Sequence, residues 1–286
     1  MSWALKGPSV QLDRRRWFAG PDVVELALAG TVGAMRYVEP LPLMCAAPRV
    51  AMRSAAAADA VAVSELLCGE AFEIVDVVGS GADRWALGRS LHDHYIGWVP
   101  MAALGDPVGA SHRITARRAP VFASASIKAA VLRELPFGAH VAGAIEGNFL
   151  VLADGGCVHR RHVELAPADR FAAAALFMGA PYLWGGRTPD GVDCSGLVQA
   201  ALAAEGIALP RDSDQQIGEG TPVAWEDRAR GDLVFFPGHV GLLIDAETLL
   251  HANAHWMAVC AEPLADVVAR LEASGVAEPV SGVRRF

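Results

Sequence analysis

The spacing of apolar and polar residues changes character three times along the 286-residue chain. In residues 1–40 a charged start gives way to PDVVELALAGTVGAMRYVEP, where Val23, Val24, Leu26, Ala27 and Ala34 predict one side of a helix broken near Gly30. This stretch reads as an N-terminal arm packing on another part of the molecule, closed by the prolines of EPLPLMCAAP. Residues 41–105 differ: EAFEIVDVV, RWALGRS and YIGWVP are short β-branched or aromatic runs between turn residues, which predicts strands. Residues 106–166 repeat that style. The fragments LLCGEAFEIVD and LPFGAHVAGAI align on Gly69 and Gly138, which predicts a duplicated β-barrel of about sixty residues per copy. From 167 the period becomes helical. ADRFAAAALFMGAP places Phe171, Ala174, Ala175 and Met178 on one face and stops at Pro181. A second helix starts at Cys194, buries Leu197, Val198, Ala201 and Leu202, and ends at Gly206. The runs GDLVFF, HVGLLID and TLLHAN follow as strands, so residues 167–286 read as an α+β domain.

Composition changes this picture mainly by exclusion. The 53% hydrophobic content is inflated by alanine, and no run of eighteen apolar residues occurs, so no membrane association is expected. A net charge of −8, with Arg14–Arg16 as the sole basic cluster, argues against a nucleic-acid partner. The start MSWALKGPSVQLDRRRWF has no apolar segment followed by a cleavage site, and a cytoplasmic protein is the expectation. Five scattered cysteines without a C-x-x-C pair fit free thiols in a reducing compartment. Cys157, His159 and His162 lie close in sequence, but without further ligands at a recognisable spacing they read as residues of a β-module. No metal or organic cofactor is expected, and a monomer is favoured.

The candidate chemistry centres on WGGRTPDGVDCSGLVQ. Asp193 is a good N-cap and Cys194 falls in the first helical turn, where the macrodipole and unpaired backbone N–H groups are expected to lower its pKa. A nucleophilic thiol wants an imidazole as base and a third group to orient that imidazole. In GHVGLLIDAETLLHANAH, a hairpin turning near Asp245 and Ala246 would set His239 and His251 opposite one another or one residue out of register, close enough to interact. His255 and Asn253 are alternatives for the third position.

These segments, PYLWGGRTPDGVDCSGLVQ, GDLVFFPGHVGLLID and LLHAN, resemble the NlpC-type papain-like cell-wall peptidases over roughly residues 168–286. The resemblance implies a papain-like fold with Cys194 as nucleophile, His239 as base and His251 as the third polar residue. Upstream, two bacterial SH3-like modules at 41–105 and 106–166 are similar to the arrangement in γ-D-glutamyl-L-diamino-acid endopeptidases. Those enzymes cut between D-Glu and the diamino acid of murein peptides bearing a free N-terminal L-Ala. By that resemblance Glu70 and Tyr95 come from the first module. Tyr182, Trp184, Asp193, Ser195, Asp212 and Ser213 come from the catalytic domain, all toward substrate. An ammonium needs carboxylates and a hydroxyl around it, and Asp212, Glu70 and Tyr95 would supply them. Asp13, far upstream, is expected to be without effect on the amine. The expected function is cleavage of L-Ala-γ-D-Glu-diamino acid peptides during murein recycling. The diamino acid, diaminopimelate or lysine, is left open. The alternatives are another amidase or transpeptidase on the same scaffold, or a non-catalytic wall-binding protein.

Overall fold

A computed structural model describes residues 12–20 and 23–286; the remaining residues of the expected arm lie outside the described ones. Within the arm the expected helix is not formed. Val23–Glu25 is a strand pairing in parallel with Arg36–Val38, and only Leu26–Leu28 turns helically, as a single 3-10 turn. Backbone pairing to a second segment outcompetes a helical period that Gly30, with φ of 85°, cannot sustain.

Residues 41–105 form a seven-stranded antiparallel sheet around Leu43, Met52, Leu66, Phe72 and Val99. Alternation does the sorting. In Trp85–Ser90 every second side chain is buried, as expected for a strand with one face on a core. Residues 112–159 form a five-stranded sheet and a short two-stranded one over a separate core that includes Ile114, Leu135 and Leu150. The two modules meet where the His140 amide donates to the Cys68 carbonyl at 2.7 Å. A Cβ at Gly69 would lie 2.2 Å from the His140 carbonyl oxygen, so that approach requires glycine.

The C-terminal part carries a six-stranded antiparallel sheet. Its strand period of two divides the inward residues between two layers. Leu233, Phe235, Val240, Leu242, Leu250 and Ala252 pack with the helix Cys194–Leu202. Val234, Phe236, Leu243 and Leu249 pack on the other face with Leu264 and Val267 of the helix Leu264–Ala273. The helix expected from ADRFAAAALFMGAP runs from Arg170 to Ala175, with Asp169 capping it through Ala172 N–H at 2.8 Å. No helix among the described residues is long and apolar enough to cross a membrane.

Candidate active site

Asp193 shapes the start of the nucleophile helix. Its Oδ1 accepts from the Gly196 amide at 2.8 Å, and its Oδ2 accepts from the Gly185 amide at 2.8 Å, so one carboxylate fixes both the helix end and the glycine loop before it. Its charge is met by Arg211, which donates to Oδ1 at 3.0 Å and Oδ2 at 2.6 Å. Arg211 is only 1% exposed and also reaches Ser195 Oγ at 2.7 Å and Ser64 Oγ of the first β-module at 3.1 Å. Cys194, thus seated, lines a cleft of about 280 Å³ with Val63, Tyr95, Trp184, Asp193, Ser195, Asp212, Ser213, Asp214 and Gly238.

The expected depression of the thiol pKa is overturned. Burial, reinforced by the charge of Asp193, pushes Cys194 up to about 11, against the opposing pull of the Val240 and Ser195 amides and Arg211. Desolvation therefore outweighs the helix end. The Val240 amide acts on the thiol from the start of the strand His239–Leu243.

The hairpin register differs from the expected one. Leu242 faces Leu250 and Leu243 faces Leu249, a ladder that, continued, brings Gly241 and not His239 opposite His251. The two histidines are diagonal neighbours on one face, and their rings still meet, with His239 Nε2 2.8 Å from His251 Nδ1. On the far side, His251 Nε2 lies 2.8 Å from Glu262 Oε1, and Arg270 donates to that same oxygen at 2.6 Å. A carboxylate only accepts, so Glu262 calls for a proton on His251 Nε2. In that tautomer His251 Nδ1 accepts from His239 Nε2–H, His239 Nδ1 keeps a lone pair, and the Asn253 amide nitrogen, itself a donor, makes no bond to Nε2. Asn253 Nδ2 sits 2.9 Å from His251 Nε2, whereas His255 is exposed against Trp256. Burial and the neighbouring His251 hold His239 down at about 3.

Of the residues expected toward substrate, Tyr95, Trp184, Asp193, Ser195, Asp212 and Ser213 line the cleft. Tyr95 OH donates to Asp212 Oδ2 at 2.9 Å, so the first module and the C-terminal domain meet on one carboxylate. Trp184 is 62% exposed and forms an open aromatic wall. Tyr182 is half-buried; burial first, then the charges of Cys194 and Asp193, push its phenol up to about 12. Glu70 is not where it was expected. It forms a buried two-pronged pair with Arg187, at 2.8 and 2.9 Å, and lines a separate cavity of about 210 Å³ with Gly196 and Gln199. Burial raises its carboxyl, but Arg187 prevails and holds it below the usual range. Its partner is thus an arginine of the C-terminal domain, and its place is at an interface. Asp13 is also misjudged by distance along the chain: its Oδ2 accepts from Gln215 at 2.8 Å, and it pairs with Arg15, which reaches Asp212.

His251, Cys260 and Glu262 offer ligand atoms within 4.8 Å of one another, the sole such group among the described residues, and Cys157, His159 and His162 do not form one. Asn253 Nδ2 lies between two of those atoms, 3.3 Å from Cys260 Sγ, and Arg270 already holds Glu262. The donor set is therefore engaged in hydrogen bonds and does not fit an ion as it stands.

A cysteine at a helix start, together with a pair of hydrogen-bonded histidines on an antiparallel sheet packed against that helix, defines a papain-like site, and residues 179–272 match the NlpC/P60 family. Residues 52–104 match the bacterial dipeptidyl-peptidase Sh3 domain, so the chain carries an NlpC/P60 domain behind a bacterial SH3 domain. It is similar to the gamma-D-glutamyl-L-lysine dipeptidyl-peptidase of Bacillus subtilis, 38% identical over 92 residues, 29% of this chain and 31% of that protein. A probable endopeptidase of Mycobacterium tuberculosis is 37% identical over 127 residues, 42% of this chain and 30% of the relative. The matched region thus spans about a third of the length of these relatives. The fold resembles that of an NlpC/P60 family protein from Bacillus cereus, with a TM-score of 0.69 at 20% identity, over 86% of this chain and 99% of that one.

Proposed function

We propose that this chain is a cysteine peptidase hydrolysing the bond between γ-D-Glu and the diamino acid of murein stem peptides whose L-Ala carries a free amine. The observation that carries this reading is one cleft lined both by the Cys194 thiol and by the hydrogen-bonded Tyr95–Asp212 pair. The name of one partial relative, the B. subtilis gamma-D-glutamyl-L-lysine dipeptidyl-peptidase, supports that bond class.

In this reading His239 Nδ1 takes the Cys194 proton as sulfur attacks the γ-glutamyl carbonyl. The tetrahedral adduct collapses, the C–N bond breaks, and the departing amine of the diamino acid takes the proton from His239. Water, deprotonated by the same nitrogen, then hydrolyses the thioester and restores the thiol. His251 holds the imidazole, and Glu262 offsets the positive charge that develops on the pair. Around Asp212, the carboxylates of Asp13, Asp212 and Asp214 outnumber Arg15, which leaves negative charge beside the cleft for an ammonium. A cleft that takes a free amine suits soluble fragments more than intact strands, which supports a place in recycling and a cytoplasmic location; fractionation of cells checks the latter.

The test compares L-Ala-γ-D-Glu-diaminopimelate with its N-acetylated form. Acetylation is expected to cut kcat/KM by at least about a hundredfold, as for breaking a desolvated charge pair, and Cys194→Ala is expected to cut neither peptide while keeping the wild-type melting profile. Equal rates on both peptides would return the protein to hydrolases with an open groove.

A further inference from the structure

The carboxylate assigned to the substrate amine already has a cation on it. Arg15, in the N-terminal arm, donates from Nη1 to Asp212 Oδ2 at 2.8 Å and to Asp214 Oδ1 at 2.9 Å. The same Oδ2 takes the Tyr95 hydroxyl, so one oxygen gathers a donor from the arm and a donor from the first β-module. The arm is not laid there loosely. Arg15 is braced by Asp13, through Nε at 3.0 Å and Nη2 at 2.8 Å, and Asp13 is held in turn by Gln215 of the C-terminal domain. The Arg15 carbonyl accepts from the Ile96 amide at 2.8 Å, which pins the arm beside Tyr95. The Arg15 side chain remains 37% exposed, and the two carboxylates it bonds, Asp212 and Asp214, both line the cleft.

Resting on the function proposed above, we infer that Arg15 is a specificity-determining residue: its side chain is the end wall of the cleft and limits substrates to one residue beyond the γ-glutamyl group. An ammonium on that residue can share Asp212 with Arg15, because three carboxylates serve the two cations. A chain extended by one more residue would have to pass through the volume the guanidinium fills, and its displaced ammonium would meet that guanidinium instead of a free carboxylate. The first β-module contributes Tyr95 and Val63 to the cleft lining, and the arm reaches the same cleft through the bond of Arg15 to Asp212.

The experiment compares L-Ala-γ-D-Glu-diaminopimelate with Gly-L-Ala-γ-D-Glu-diaminopimelate, which keeps a free amine and differs only in length. In wild type the longer peptide is expected to be the poorer substrate by about a hundredfold or more in kcat/KM. In Arg15→Ala that ratio is expected to shrink at least tenfold, mainly through a gain on the longer peptide, as space opens and the carboxylates of Asp214 and Asp13 are freed to meet the displaced ammonium. Arg15→Lys, which keeps a cation but shortens the planar end, is expected to fall between the two. Melting curves of both variants check that the fold is unchanged. A wild type that cuts neither peptide overturns the proposed function and this inference together. A wild type that cuts the short peptide, with a length ratio unchanged in Arg15→Ala, overturns the role of Arg15 alone.

Discussion

Cys194 starts a helix, yet its thiol is pushed up to about 11 while His239 is held down at about 3, each chiefly by burial. At neutral pH the resting pair is therefore an uncharged thiol and an uncharged imidazole. In the mechanism proposed above, the proton then moves only as the attack develops, and the base is in its working form across the whole neutral range. The expected kcat/KM profile is accordingly flat through pH 6 and 7, with an acid limb well below the usual histidine value; a limb near 6.5 would show that His239 is far more solvated than its surroundings indicate. Burial also lowers His251, and Glu262, the charged end of the imidazole chain, works against that by raising it. Glu262→Gln removes that support and is expected to reduce kcat by about tenfold or more while leaving KM nearly unchanged, since no substrate group is lost. An equal loss in KM would place Glu262 in binding instead.

Among elements, the junction between the first β-module and the glycine loop rests on a buried ion pair. Arg187 meets Glu70 with two bonds, its amide donates to Glu65 Oε2 at 2.8 Å, and Nη1 reaches the Glu65 carbonyl at 2.7 Å. Glu70→Ala leaves that buried guanidinium without its carboxylate and is expected to cost about 3–5 kcal/mol, read as a fall in the urea midpoint. The cleft itself should keep most of its activity under native conditions, because Glu70 does not line it. This is also where reading the sequence reaches its limit. The helix-start cysteine, its Asp193 cap and the meeting of His239 with His251 were legible because each depends on local period or a short hairpin. The exact pairing was not, since the strands slide by two residues while keeping the same face. Glu262 escaped notice because its neighbourhood to His251 depends on how the strand Ala258–Pro263 registers with Thr248–Asn253, where His251 faces Cys260. Arg211 lies directly before Asp212 in LPRDSD, but nothing local says that it turns inward to Asp193. Glu70 was assigned by motif position, and its partner is 117 residues away. The likeness between the two β-modules, by contrast, has a backbone cause: Gly69 and Gly138 both adopt positive φ, 77° and 90°, in the turns after matching strands.

For the molecule as a whole, histidines held below their ordinary value shape the response to acid. His92, His140, His239 and His251 are all lowered from the ordinary value, His92 chiefly by Arg187 and the others chiefly by burial. Their folded values lie below the unfolded value of about 6.5, so the unfolded chain binds more protons as pH falls. The stability they contribute is complete above about pH 6.5 and is lost progressively as pH drops through the folded values. Glu70, raised by burial but carried below its ordinary value by Arg187, acts in the same direction at lower pH, while Glu65 and Asp212, raised by burial, oppose it. A lower urea midpoint at pH 5 than at pH 7.5 is expected; equal midpoints would mean that these rings are hydrated in solution.

The contact between Arg15 and Asp212 joins positions 197 residues apart. During synthesis the arm leaves the ribosome long before the residues it must touch exist. The β-modules can collapse on their own local strands in the meantime, but the end of the groove stays unbuilt until the C-terminal sheet has formed and docked against them. A nascent or truncated chain that has already folded its thiol helix would still present an unfinished groove. The selectivity proposed above is therefore acquired last, and on that proposal a lesion in any one of the three regions loosens what the cleft accepts without touching a reacting atom.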